Sequence, residues 1–304
     1  MLLLQNKSYI YTSKFNKSVS TLLIGEQKQT DISAFTSTVS NPTGQTHPYH
    51  LVDLSPWPLQ TSIVLGTLVS SFVLTFSQFS SGSTLFWIAL VLLILHKGFW
   101  FSDITSEGTF NGDHTITVVR GLVLGMSLFI LTEAVFFGFI FWSYLHNSLS
   151  PAVEIGVLWP PLGIEPLEAK AIPSLNTALL LASGASVTWS HHALIGGRRQ
   201  GALLGLILTI VFALIFTGFQ VYEYFTATFT MADSIYGNIF YLGTGGHGMH
   251  VIVGTCILLV ALTRIVTYHF SSKHHVGYES GILYWHFVDI VWLVLYVIFY
   301  WWGS

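Results

Sequence analysis

Long apolar runs alternate with short polar connectors along this chain. Seven runs predict membrane-crossing helices at 58–79, 85–102, 118–146, 173–195, 200–226, 235–267 and 277–302, since about 20 helical residues span the hydrocarbon of a bilayer. The runs are continuous, without the alternating segments of a strand-built barrel. Two stretches break the rhythm. Residues 1–45 are polar, rich in Ser, Thr and Gln, with no acid before Glu26. They are faintly like an organelle transit peptide and read as an accessory arm against a partner or a surface. Residues 147–172 form the one long connector between spans. Pro151, Pro160, Pro161 and Pro166 make it a stiff outer cap rather than a helix.

Composition agrees with the pattern. Apolar residues make up 52% of the chain and charged residues 8%, against roughly 25% charged in a soluble domain. A water-facing surface cannot be built from such a chain, so the prediction is an all-α integral membrane protein. A net charge of −3 gives no basis for nucleic-acid binding. The single cysteine, Cys256, excludes an internal disulfide, a CxxC pair or a thiolate metal cluster.

Charge also sets direction. With the N-terminus inside, 10 of the 11 Lys and Arg residues fall on the inner side, and Lys170 stands alone outside. The positive-inside rule therefore predicts an inner N-terminus and an outer C-terminus. Trp57, Trp100 and Trp189 fall at inner ends, and Trp87, Trp142, Trp301 and Trp302 near outer ends, as interfacial belts require.

The candidate chemistry lies in the few polar groups at depth. In FILTEAVFFGFIFW (129–142) the acid Glu133 is surrounded by Phe, Ile, Leu and Val. At 1.5 Å per residue it lies roughly 22 Å into the third span, near mid-depth. An acid there costs at least about 2.5–3.5 kcal/mol on insertion scales and needs a hydrogen-bond partner even when protonated. Span six, running inward, puts His247 and His250 at similar depth in GTGGHGMHVIVG. Three residues apart, they share a helix face, and Gly243, Gly245, Gly246, Gly248 and Gly254 thin that face for close approach. Glu133 is expected to meet His247 or His250, as an interhelical clamp or as a proton-linked or lipid-linked site. Glu223 in span five and Asp289 in span seven are also deep or near-interfacial, and Asp289 stands at i+3 from His286.

The other histidines invite a metal reading. His191 and His192 end span four, His274 and His275 precede span seven, and His96, His114, His269 and His286 add to them. Neither HxxxH nor HxxHH occurs, so solvated or capping histidines at helix ends are expected, with no metal ligands and no redox centre in this chain. Asp103, Glu107, Asp113 and His114 line the inner loop FSDITSEGTFNGDHT, as a solvated loop, as anchors for headgroups or as a proton-collecting surface.

The stretch HHVGYESGILYWHFVDIVWLVLYVIFYWWGS (274–304) closely resembles the last helix of the cytochrome c oxidase subunit III family. THPYHLVDLSPWPL, FNGDHT, FILTEAVFFGFIFWSYLHNSLSP, WPPLGIEP, LASGASVTWSHHALI, TGFQVYEY and DSIYGNIFYLGTGGHGMHVIVGT follow in family order, so the resemblance covers about 47–304. Residues 1–45 have no counterpart in it. The resemblance implies two bundles, helices 1 and 2 against helices 3 to 7, with a V-shaped cleft filled by phospholipids. The chain then divides into an N-terminal extension on the matrix side (1–46), helices 1 and 2 with their inner loop (47–117), and helices 3 to 7 (118–304).

It further implies a non-catalytic subunit of the mitochondrial inner membrane that flanks subunit I near a proton-uptake pathway. Haem a and copper would belong to the partner subunits I and II, alongside accessory subunits. Glu133 corresponds to the family's buried carbodiimide-reactive acid, beside His247 and His250. His47 and His50 match inner-surface histidines proposed to collect protons. Trp100, Glu107, His114, Arg264 and His269 match the lipid cleft. The chain departs from the family at Ser102 and Ser106, where arginines are usual, at Thr267, usually basic, and at Asp113, usually the first of two histidines. Arginine is the natural phosphate clamp, so headgroup binding is expected to be weaker or rearranged, with Lys97 as a substitute. Two alternatives stay open: the equivalent subunit of a bacterial-type quinol or cytochrome oxidase, and a proton-coupled transporter. The missing internal repeat weighs against the transporter, and histidine spacing weighs against a membrane metalloenzyme.

Overall fold

A computed structural model describes residues 47–303. The expected extension 1–46 lies outside the described residues. The chain divides into two units, Met1–Tyr49 and His50–Ser304. In the first, the rings of His47 and Tyr49 lie 6.3 Å apart. The second is built of helices: α1 (Trp57–Phe76), α2 (Gly82–Ser106, continued by a π-helical turn, Glu107–Asn111), α3 (Ile116–Leu149), α4 (Ile172–Ile195), α5 (Arg199–Thr226), α6 (Ile235–Val266) and α7 (Val276–Leu295, continued as Tyr296–Trp301). Each predicted span has its helix. The connector after α3 is irregular apart from one short turn, Val153–Ile155, and Trp159 from it packs on Tyr144 and Tyr236.

Packing sorts the helices into two groups. The first is α1 against α2, joined where α1 begins and α2 ends, with the Trp57 indole N–H donating to Asp103 and its ring stacking on Phe99. The second is α3 to α7. Most side chains of α1 and α2 are apolar and exposed, whereas α5, α6 and α7 contribute most of the buried apolar core.

Six of the seven helices are both long and apolar enough to cross a membrane; α4 is the exception. Its 24 residues make it about 36 Å long at 1.5 Å per residue, so length is not the difference. The difference is a stripe of small polar residues, Asn176, Ser183, Ser186 and Ser190, which is buried. Such residues let helix backbones approach and supply hydrogen bonds between them. Ser183 accepts from the indole of Trp285 at 2.9 Å, Thr177 from that of Trp292 at 2.9 Å, and Ser190 from the Tyr278 hydroxyl at 2.6 Å. Ser186 meets Thr209 of α5 at 2.8 Å. Gly205 is needed on α5, because a Cβ there would lie 2.8 Å from that of Ser190. The polarity of α4 thus faces protein, where α5 and α7 close on it.

Candidate functional site

The deep polar site forms between α3 and α6. His250 Nε2 lies 2.8 Å from Glu133 Oε2, and both side chains are largely covered. The His250 Nδ1–H donates to the Gly246 carbonyl, one turn back, at 2.7 Å. That bond fixes the ring, so the contact with Glu133 must carry a proton on one side or the other. Either a neutral carboxyl donates to Nε2, or an imidazolium donates to a carboxylate. Phe137, Tyr284 and Phe287 surround the imidazole at centroid distances of 5.1, 6.2 and 6.3 Å.

The structure separates His247 from this pair. Its Nε2–H donates to the Val288 carbonyl of α7 at 3.2 Å, and its ring packs between Phe216 and Trp292. Its Nδ1 has no partner among the described residues. Three residues turn a helix by about 300°, so these neighbours on one face look toward different helices.

A cavity of about 950 Å³ opens where α2 and α6 end and α3 and α7 begin. His114, Arg264 and His269 lie at its wall, with Leu122, Met126 and Phe129 of α3 forming an apolar side. The Arg264 guanidinium stacks 4.2 Å from the Phe270 ring and donates to Thr109 Oγ1 at 3.2 Å. Gly277 makes room for it, since a Cβ there would lie 2.8 Å from Arg264 Nη1. Arg264 Nε and His269 Nδ1 have no partner among the described residues. Trp100 and Glu107 are not among its lining residues. Lys97 Nζ sits 4.8 Å from the Trp100 ring. The Glu107 carboxylate joins ring nitrogens of His50 and His114, all within 4.8 Å of one another. His50 is also 3.8 Å from Asp113. In this loop, burial and the neighbouring His50 hold the His114 imidazole below the usual histidine range, against the opposing pull of Glu107 and Asp113.

Of the histidines expected to be solvated or capping at helix ends, His275 is the cap residue before α7, is buried and meets His191 at 3.3 Å. His286 and Asp289, at i and i+3 on α7, stand 3.7 Å apart, too long for a hydrogen bond, and Asp289 Oδ1 has no partner among the described residues. A third polar site was only hinted at by sequence. Glu223 is buried, accepting from the Tyr300 hydroxyl at 2.6 Å and from Gln220 at 3.4 Å. The i, i+3 spacing of Gln220 and Glu223 was its available signal.

Helices of membrane length in two packed groups, enclosing a mid-helix acid–imidazole pair, define a multi-pass α-helical membrane protein. Residues 47–304 match the family model described as cytochrome c oxidase subunit III. The chain is 56% identical over 260 residues to "Cytochrome c oxidase subunit 3" of Podospora anserina, covering 86% of this chain and 97% of the relative. It is 55% identical over 260 residues to the Neurospora crassa protein of that name, with the same coverage. To that of Anopheles gambiae it is 52% identical over 258 residues, covering 85% and 98%. The chain belongs to the cytochrome c oxidase subunit III family.

Proposed function

We propose that this chain serves as a non-catalytic core subunit of a mitochondrial cytochrome c oxidase. In this reading it steadies subunit I, holds phospholipids in its cleft and supports proton uptake while cytochrome c reduces O2 to water. Electron transfer and oxygen chemistry belong to haem a and copper in subunits I and II, with accessory subunits around them. The chain sits in the inner membrane with its N-terminus, and the extension 1–46, toward the matrix.

The observation that carries the reading is the inner cavity. One wall offers Arg264, His114 and His269, and the other is apolar. A charged headgroup over acyl chains matches that division. Trp100 and Glu107 belong to the same lipid cleft, and His47 and His50 supply protonatable rings on the inner side. Glu133, with His250 and His247, serves as the polar core that holds α3, α6 and α7 in register.

The test is purification of the whole oxidase carrying Arg264→Gln. Bound phospholipid is measured by mass spectrometry, and oxygen consumption is followed over many turnovers. A normal initial rate with less phospholipid and a shortened active lifetime supports the reading. Full lipid content and an unchanged lifetime in an assembled complex reject the cavity as the lipid site.

A further inference from the structure

We infer that His191, His275 and Glu279 form a site for a divalent transition-metal cation of the zinc type, bridging α4 and α7 at the inner face. This rests on convergence of three ligand atoms from two helices. His275 Nε2 lies 3.3 Å from His191 Nε2 and 3.1 Å from Glu279 Oε1. His191 Nε2 lies 3.9 Å from the same carboxylate oxygen. A tetrahedral zinc ion with bonds of about 2.0–2.1 Å sets its ligand atoms about 3.3 Å apart. The triangle therefore has nearly the dimensions of one face of such a site. Two histidines and a glutamate are also a donor set that zinc accepts with a fourth position left to water.

Tautomer logic points the same way. The His275 Nδ1–H donates to the Ser271 carbonyl at 2.9 Å, so a neutral His275 presents a bare lone pair at Nε2. That lone pair faces a carboxylate oxygen, and two acceptors at 3.1 Å repel unless a cation lies between them. The cation is either a proton on Nε2 or a metal ion. A backbone carbonyl holding the remote ring nitrogen is the usual support of a metal-bound histidine.

The frame around the triangle is fixed in advance. His275 and Glu279 are four residues apart at the start of α7, on one helix face. His191 follows Ser190, whose hydroxyl accepts from Tyr278 at 2.6 Å and donates to the Ala202 carbonyl. The neighbour of each half is thus locked to the other half, so little rearrangement is left to cost affinity. His275 is buried while Glu279 is 45% exposed, which leaves the carboxylate side open for an ion to reach. His275 also borders the inner cavity.

The test uses the intact oxidase, washed with chelator, reloaded with Zn²⁺ and desalted. Crystals of the reloaded wild type are measured at the zinc absorption edge. An anomalous peak among His191, His275 and Glu279 is expected, with one zinc equivalent more per complex than in Glu279→Gln. Glu279→Gln keeps size and hydrogen bonding at a half-exposed position, so assembly should be unchanged. No peak in the wild type, or equal zinc content in wild type and variant, overturns the site and leaves the triangle holding a proton only. The wild-type map decides the matter even if the variant fails to assemble.

Discussion

His250 Nε2 and Glu133 Oε2 stand 2.8 Å apart, and the opposite ring nitrogen of His250 is committed to the Gly246 carbonyl. The pair therefore shares one proton, whichever atom carries it. Glu133→Gln keeps a donor for Nε2, and its cost should be small. Glu133→Ala leaves the imidazole nitrogen without a partner in a covered site, at an expected cost of about 1–3 kcal/mol. Thermal unfolding of the purified complex separates the two variants. Equal midpoints for Gln and Ala would show that the hydrogen bond contributes nothing to holding α3 against α6.

Gly254 should tolerate no side chain. A Cβ there would lie 2.9 Å from Trp285 Cε3 and 3.1 Å from Cζ3, and Trp285 is fully buried. Overpacking at such a place costs roughly 1–3 kcal/mol. Gly248 lies on the same helix, and a Cβ added there would meet nothing within 4 Å, so Gly248→Ala is the control. The expected result is lower yield and a lower melting midpoint for Gly254→Ala alone.

The loop after α2 should respond to pH through His114. Its folded-state value is held below the usual histidine range, mainly by burial. A depressed value means that the folded loop prefers the neutral ring. Its contribution is present above the unfolded-state value, about 6.5, and is lost as pH falls through the lower folded value. Hydrogen exchange across 107–115 should therefore quicken as pH drops below that range, after correction for the intrinsic rate. In His114→Gln this extra acceleration should disappear. An anion bound in the cavity should reverse the trend, since it favours the charged ring.

Helix positions were legible in the sequence because the bilayer imposes a length and a hydropathy that few other constraints mimic. Glu133 and the two histidines were legible as a group because helix rise places them at one depth. The choice of His250 over His247 was not legible, since it depends on the rotation of α6 against α3, which spacing along one helix leaves open. The inward serine face of α4 reads in sequence only as reduced hydropathy; what it faces depends on α5 and α7. The meeting of His191 with His275 was hidden for a plainer reason. The two residues are 84 positions apart, and no motif within a single segment joins them.

Arg199 shows how a charge at a helix start can be favourable. A cation in the first turn of α5 opposes that helix's dipole. Its side chain instead reaches the C-terminal end of α6, where Nε donates to the Ile265 carbonyl at 3.2 Å and Nη2 to the Val266 carbonyl at 2.8 Å. The guanidinium also lies 3.7 Å from the Tyr268 ring centroid, and Tyr268 has a positive φ of 62°. The fork satisfies two carbonyls at a helix end and places positive charge where the α6 dipole is negative. Lysine offers a point charge without the planar fork. Arg199→Lys should then loosen the end of α6, and Arg199→Gln should do so more strongly, because it removes the charge as well. Hydrogen exchange should rise at residues 263–269 in that order while α3 stays unchanged. Equal protection in all three proteins would show that α6 ends without help from α5.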